Sequence, residues 1–161
     1  MVVFIHDPAH EGRAGIGGAR KWWLQENLRA FGRELSQELG IQLHLYEGDS
    51  KTCLDQLTAK FAATHIYWNR SYEPAHVERD KNLKQEFSAR GLLVQSFTGN
   101  VLQEPFALTT GSGGPYRVFT PFWKNLAQKE IPQPLPRPKP SSGPMDDHAL
   151  GLEDLNLHDE N

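Results

Sequence analysis

Residues 67–80 read YWNRSYEPAHVERD, and Arg70, Glu73, His76, Glu78, Arg79 and Asp80 fall within eleven consecutive positions of it. Carboxylates beside a histidine can move protons or hold a metal. The spacing points elsewhere for most of them. On a helix opening at Pro74, His76, Arg79, Asp80 and Lys84 follow i, i+3, i+4, i+8, which makes a solvated charged face with local ion pairs. His76-Val77-Glu78 matches the His-x-Glu half of the zinc deaminase signature, but the Pro-Cys-x-x-Cys half is absent. Cys53 is the only cysteine, which excludes an internal disulfide and four-cysteine zinc sites. In GIGGAR, Gly15 and Gly17 supply G-x-G, but Arg20 takes the third glycine position, and the cluster stands about ten residues beyond the strand it should follow. No Gly-Lys-Ser/Thr phosphate loop exists, and Ser112 lacks the nucleophile elbow. Asn69 and Glu73 differ from the rest, because they stand where a strand ends and before the helix begins.

The elements that hold these residues alternate. Val2–Ile5 is a short apolar run closed by His6-Asp7-Pro8, a buried strand ending in a turn. Residues 9–19 carry four glycines and no periodicity, and read as loop. From Arg20 onward Leu24, Leu28, Phe31, Leu35 and Leu39 follow a helical period, with Gly40 placed as a C-cap. Ile41, Leu43 and Leu45 share a strand face. Gly48-Asp49-Ser50 turns the chain and caps a helix burying Leu54, Leu57 and Phe61. HIYWN is a third strand. A helix after Pro74 turns Val77, Leu83 and Phe87 inward and ends at Gly91, and LLVQSF is a fourth strand. The order β-α-β-α-β-α-β implies an α/β, Rossmann-like parallel sheet with helices on both faces and right-handed crossovers. In such sheets ligands sit beyond the carboxyl ends of the strands, the edge that holds His6-Asp7, Glu47–Asp49 and Asn69–Glu73.

After residue 98 the alternation stops. Residues 98–116 read as loop, and YRVFTPFWKNL is dense in aromatics. Residues 131–144 hold six prolines and read as a semi-rigid linker. The four tryptophans are expected in core or interface. Charge is uneven: residues 1–144 carry 17 basic against 14 acidic residues, a net of +3, while 145–161 carry six acids and no Lys or Arg. A net of +3 is too small to argue nucleic-acid binding. The acidic stretch has weak helical spacing and should fray by itself. No run of about 18 apolar residues exists, so no membrane helix is expected. The N-terminus does not read as a signal peptide, and a cytoplasmic location is the expectation.

The stretches WWLQENL, EGDS, YWNRSYEPAHVERD and GGPYRVFTPFWKN, in this order and spacing, resemble the DNA photolyase/cryptochrome family across roughly residues 1–128. The resemblance implies that residues 1–130 are the family's N-terminal α/β, or antenna, domain. Residues 131–144 would be its linker, and 145–161 the acidic start of a helical domain that binds FAD and the pyrimidine dimer. The family places another strand before one like VVFIHDP, so the expectation is a domain lacking its first, central strand. Such a loss exposes ladder groups on two neighbours and makes the isolated chain marginally stable. With the FAD- and DNA-binding residues beyond the chain, no lyase activity is expected of it alone, and DNA would be reached only through the helical domain. Arg20, Asn69 and Glu73 become candidate antenna or interdomain residues; helix-end ion pairing is the competing reading for Arg20 and Glu73. Folate-binding members carry an Asn-Glu pair where this chain has Ala75 and His76, which favours a deazaflavin or flavin antenna, or none, over folate. A free-standing nucleotide- or flavin-binding module, or a non-functional gene remnant, remain alternatives.

Overall fold

The computed structural model describes residues 1–10, 15–130 and 133–157. Parts of the expected glycine loop (11–14), the start of the linker (131–132) and the acidic residues Asp159 and Glu160 lie outside the described residues. The described chain forms two compact units. The first combines residues 1–64 with those from Arg137 onward, and the second runs from His65 to Pro136.

In the first unit, β1 (Val2–His6) pairs in parallel with β2 (Leu43–Glu47), Val2 opposite Leu43 and His6 opposite Glu47. The crossover is α1 (Gly18–Glu34), which continues through one wide π-helical turn, Leu35–Leu39. It stops at Gly40, whose φ of 68° is the left-handed conformation that glycine adopts without strain. Leu28 and Leu35 are buried as the period predicts, but Phe31 is exposed: the inner stripe of α1 is narrower than the sequence pattern. Next, α2 (Ser50–Lys60) buries Cys53 and Leu57. Its N-cap Asp49 accepts from the Thr52 N–H at 2.8 Å, satisfying one of the donors a helix start leaves over.

The core of this unit is completed from far along the chain. Leu155 and Leu157 pack with Leu28 and Leu45, and Leu150 and Leu152 close around them. The Leu150 N–H donates to Leu45 O at 2.9 Å, an antiparallel bridge on β2. The sequence reading set residues 145–161 apart as a frayed start of another domain. Residues 145–157 do not fray but strap the first unit: Leu155 and Leu157 plug its core, and Leu150 and Leu152 pack against them.

In the second unit, β3 (His65–Asn69) pairs in parallel with β4 (Leu93–Phe97), His65 opposite Leu93 and Asn69 opposite Phe97. The crossover is α3 (Pro74–Ala89), opened by proline at its first turn, where no N–H is needed. Gly91, at φ 88°, ends it. Leu83 and Phe87 are buried, but Val77 is exposed. The other face of the ladder carries Tyr67, Leu93 and Phe97, all exposed, with the Tyr67 ring 5.8 Å from both His65 and Phe97. A short amphipathic helix, α4 (Phe119–Leu126), buries none of its residues.

The parallel α/β character is as the sequence indicates, but the strands do not form one ladder. The described residues make two two-stranded sheets, β1–β2 and β3–β4. Among the described residues the one strand partner of β1 is β2, and that of β3 is β4. Of the tryptophans, Trp22, Trp23 and Trp123 are exposed in this chain and Trp68 is half-buried.

Candidate functional site

Each sheet presents a cluster at its carboxyl edge. In the first unit, β1 ends at His6 and Asp7, both buried. Asp7 Oδ2 accepts from the Ser50 N–H at 2.9 Å and the Ser50 hydroxyl at 2.6 Å, so it serves the start of α2 beside Asp49. His6 Nδ1 lies 3.5 Å from Glu47 Oε1. Burial, then the nearby Asp49 and Asp7 carboxylates, push the Cys53 thiol up, which keeps it protonated and a poor nucleophile. Beneath this edge, the strap is held by a polar hub. Lys60 Nζ reaches Asp146 Oδ1 at 2.7 Å, and the Tyr46 hydroxyl donates to Oδ2 at 2.8 Å. Lys60, the His148 N–H and Tyr46 hold the Asp146 carboxyl well below the usual carboxylate range. Burial and Asp146 push the Tyr46 phenol up. His44, almost fully buried, accepts the Asp146 N–H on Nε2 at 3.1 Å, which leaves Nδ1 as the donor to Val2 O at 3.3 Å.

In the second unit, Arg70 follows β3 directly, and its N–H continues the ladder to Phe97 O at 2.9 Å. Its guanidinium bonds Ser96 Oγ at 3.1 Å, Ser96 O at 2.8 Å and Glu104. Glu104 also accepts from Thr98, and from the Tyr72 hydroxyl at 2.8 Å. These partners, Thr98 foremost, hold the Glu104 carboxyl below its ordinary range, and burial with Glu104 pushes Tyr72 up. The network ties the loop after β4 to the end of β3.

The helix face expected to be solvated is turned inward instead. Asp80 accepts the Trp68 indole N–H at 3.0 Å and Arg79 NH2 at 2.8 Å. Lys84 Nζ reaches Ser96 Oγ at 3.1 Å, and Ser71 Oγ meets His76 Nδ1 at 2.9 Å. Helical spacing places four residues on one face; it does not say that a tryptophan and two serines stand opposite. Between this face and the sheet lies a cavity of about 560 Å³ with Trp68, Tyr72 and Phe106 in its walls.

The three residues singled out from sequence fall in both units, Arg20 in the first and Asn69 and Glu73 in the second. Arg20 is an exposed first-turn residue of α1 in the first unit. Asn69 ends β3, and its side chain lies across Gly99, where an added Cβ would stand 2.5 Å from Asn69 Cγ. Glu73 precedes the first turn of α3, makes no capping bond, and has a largely exposed side chain 3.8 Å from His76 Nδ1. Sequence reasoning missed Glu104, Thr98 and Ser96. Arg70, immediately after an apolar strand, was a local signal; Glu104, 34 residues later in an aperiodic loop, gave none. Among the described residues no cluster of three metal-ligating side chains occurs, and no helix is long and apolar enough to cross a membrane.

The family model for DNA photolyase matches residues 1–140. The chain is 42% identical over 130 residues to the deoxyribodipyrimidine photo-lyase of Agrobacterium fabrum, covering 80% of this chain and 27% of that protein. It is 31% identical over 131 residues to cryptochrome-2 of Arabidopsis thaliana, covering 80% of this chain and 21% of that protein. Among solved structures, a bacterial class III photolyase from Agrobacterium tumefaciens superposes with a TM-score of 0.76 at 35% identity, over 98% of this chain and 32% of that one. An archaeal photolyase from Sulfolobus tokodaii, solved with two FAD molecules, superposes with a TM-score of 0.75 at 19% identity, over 99% of this chain and 35% of that one. The chain thus spans between a fifth and about a third of the length of these proteins.

Proposed function

The chain belongs to the DNA photolyase family, and from that premise we propose that it is the antenna-side α/β domain of a deoxyribodipyrimidine photolyase. The observation that carries this reading is the family match over residues 1–140. The parent reaction is light-driven reversal of pyrimidine dimers, with electron donation from a reduced FAD held by a helical domain. That FAD belongs to the helical domain, and Asp7, Arg70, Tyr72 and Glu104 at the two carboxyl edges bond to loops and a helix start. No catalytic step is therefore assigned to this chain. Its contribution is to bind and to position.

Arg20 and Glu73 are proposed as surface residues that meet an antenna or the helical domain, and Asn69 as the residue that sets the path of the loop at Gly99. The antenna, where one is bound, is a deazaflavin or flavin rather than a folate, given Ala75 and His76. The helical FAD-binding domain is the partner, DNA is reached only through it, and the reducing cytoplasm suits the lone buried Cys53.

A repair assay tests this. An oligonucleotide carrying a cyclobutane dimer is illuminated with the chain alone, and with the chain joined through its proline-rich segment to a helical FAD-binding domain of the family. Repair only in the joined protein is the expected result. Dimer reversal by the 161-residue chain alone, or no repair by the joined protein once FAD is bound, overturns the reading.

A further inference from the structure

We propose that the outer face of α1 and its π-helical turn form a docking groove for a basic, proline-rich protein segment of another chain, and that the molecule's own residues 137–141 hold that groove until such a segment displaces them. The groove lies wholly within the first unit, uses none of Arg20, Asn69 or Glu73, and does not depend on the family reading. Its floor is apolar: Phe31, Leu35 and Leu39 line an open volume of about 210 Å³, with Pro138 along one side. Small-molecule pockets run to roughly 300–1,000 Å³, so this one suits single side chains of an extended segment lying across it. Phe31 stays 47% exposed, so Pro138 leaves part of the aromatic surface uncovered.

Three kinds of contact identify the class of ligand. Arg137 Nη2 stands 3.2 Å from Glu38 Oε2 and 3.8 Å from Glu34 Oε1, so two carboxylates one helical turn apart face one guanidinium. Pro138 lies against the apolar floor. The Ser141 N–H donates to Leu39 O at 3.0 Å, a carbonyl that the end of the π-helical turn leaves over. An acidic rim, an aromatic floor and a backbone acceptor suit a basic segment of polyproline type. The chain's own segment has that form. Prolines at 132, 134, 136, 138 and 140 bias the residues between them to extended backbone, and Arg137 and Lys139 carry the charge. Its hold is weak, because the Arg137 and Glu38 side chains are 61% and 49% exposed, and ion pairs that open to water contribute little. A segment of the same chemistry from another chain therefore competes with it on near-equal terms.

A fluorescein-labelled peptide of residues 133–142, QPLPRPKPSS, tests this by fluorescence anisotropy. Arg137→Ala/Pro138→Ala in the protein empties the groove. It should raise the peptide's affinity about tenfold over the parent chain, the factor for a groove left open in about a tenth of molecules. Glu34→Gln/Glu38→Gln added to that variant should remove the gain. Peptide variants ask the same question with the protein unchanged: Arg137→Ala, or alanine for both Pro136 and Pro138, should each weaken binding to the parent chain several-fold. Resonances of Phe31, Leu35 and Leu39 should shift as the native peptide is added. Because the four substituted side chains of the protein are exposed, far-UV circular dichroism and melting should match the parent. Equal affinity of the parent and emptied chains overturns the proposal, as does binding to neither. So does binding that survives loss of both carboxylates, a proline-substituted peptide that binds as well as the native one, or shifts confined to residues outside α1 and its π-helical turn.

Discussion

Both units of this molecule use the same three-group device, and they finish it differently. In each, a tyrosine hydroxyl and a basic side chain hold the carboxylate of a later segment: Tyr46 and Lys60 on Asp146, Tyr72 and Arg70 on Glu104. In the first unit the segment so held also drives Leu155 and Leu157 into the core, each only 2% exposed. In the second, Leu102 and Phe106, two residues either side of the held carboxylate, stay exposed, and Leu108 alone of that segment is buried. The comparison teaches that the polar triad sets where a segment lies, and apolar burial sets how firmly it stays. A charge-assisted triad contributes little beyond the cost of desolvating it, whereas each buried leucine contributes about 1.5–3 kcal/mol.

The largest effect should therefore come from the leucines. Leu155→Ala is expected to cost about 2–5 kcal/mol and to abolish hydrogen-exchange protection at the Leu150 amide; urea unfolding and exchange measure both. If the strap stays protected, the plug is not what holds it. Gly99→Ala places a Cβ 2.5 Å from Asn69 Cγ. It should destabilise the second unit by about 1–3 kcal/mol, with Asn69→Gly in the same chain recovering most of the loss. An additive double variant would show that the two side chains do not collide. Asp49→Ala removes the cap on α2 and should cost about 1 kcal/mol, read as a lower urea midpoint at constant slope.

The smallest distinction is pH. Asp146 and Glu104 both titrate lower folded than unfolded, so what they contribute is complete above the ordinary carboxylate range and is lost as pH falls below about 4. Tyr46 and Tyr72 are raised, so their contribution is complete below about pH 10 and falls above it. Asp146→Asn should flatten the fall in melting temperature between neutral and acid pH more than Glu104→Gln does. Equal flattening would mean that the two hubs matter equally.

The elements were legible because their signals are local. Gly40 and Gly91 stop helices where left-handed backbone is required, and the short apolar runs became parallel strands. What failed was anything set by a distant partner. Phe31 and Val77 lie on the predicted inner stripes, yet the sheet beneath is two strands wide and leaves both exposed. Asp80 and Lys84 looked like solvent-facing charges, but Trp68 and Ser96 stand opposite them. Asp146 meets Tyr46 across 100 residues and Glu104 meets Arg70 across 34. No periodicity within either segment encodes that pairing.

One ring draws together the first and last parts of the first unit. His44 hydrogen-bonds Val2 on one side and Asp146, 102 residues later, on the other. The second unit, by contrast, is a single uninterrupted stretch from His65 to Pro136. During synthesis, at about 5–20 residues per second, that stretch is complete and can close while the first unit still waits for its leucines. Long-range closure is also the slow kind. The strap, translated after both of these stretches, thus acts as a timing element: residues 1–64, made before the second unit, become native after it.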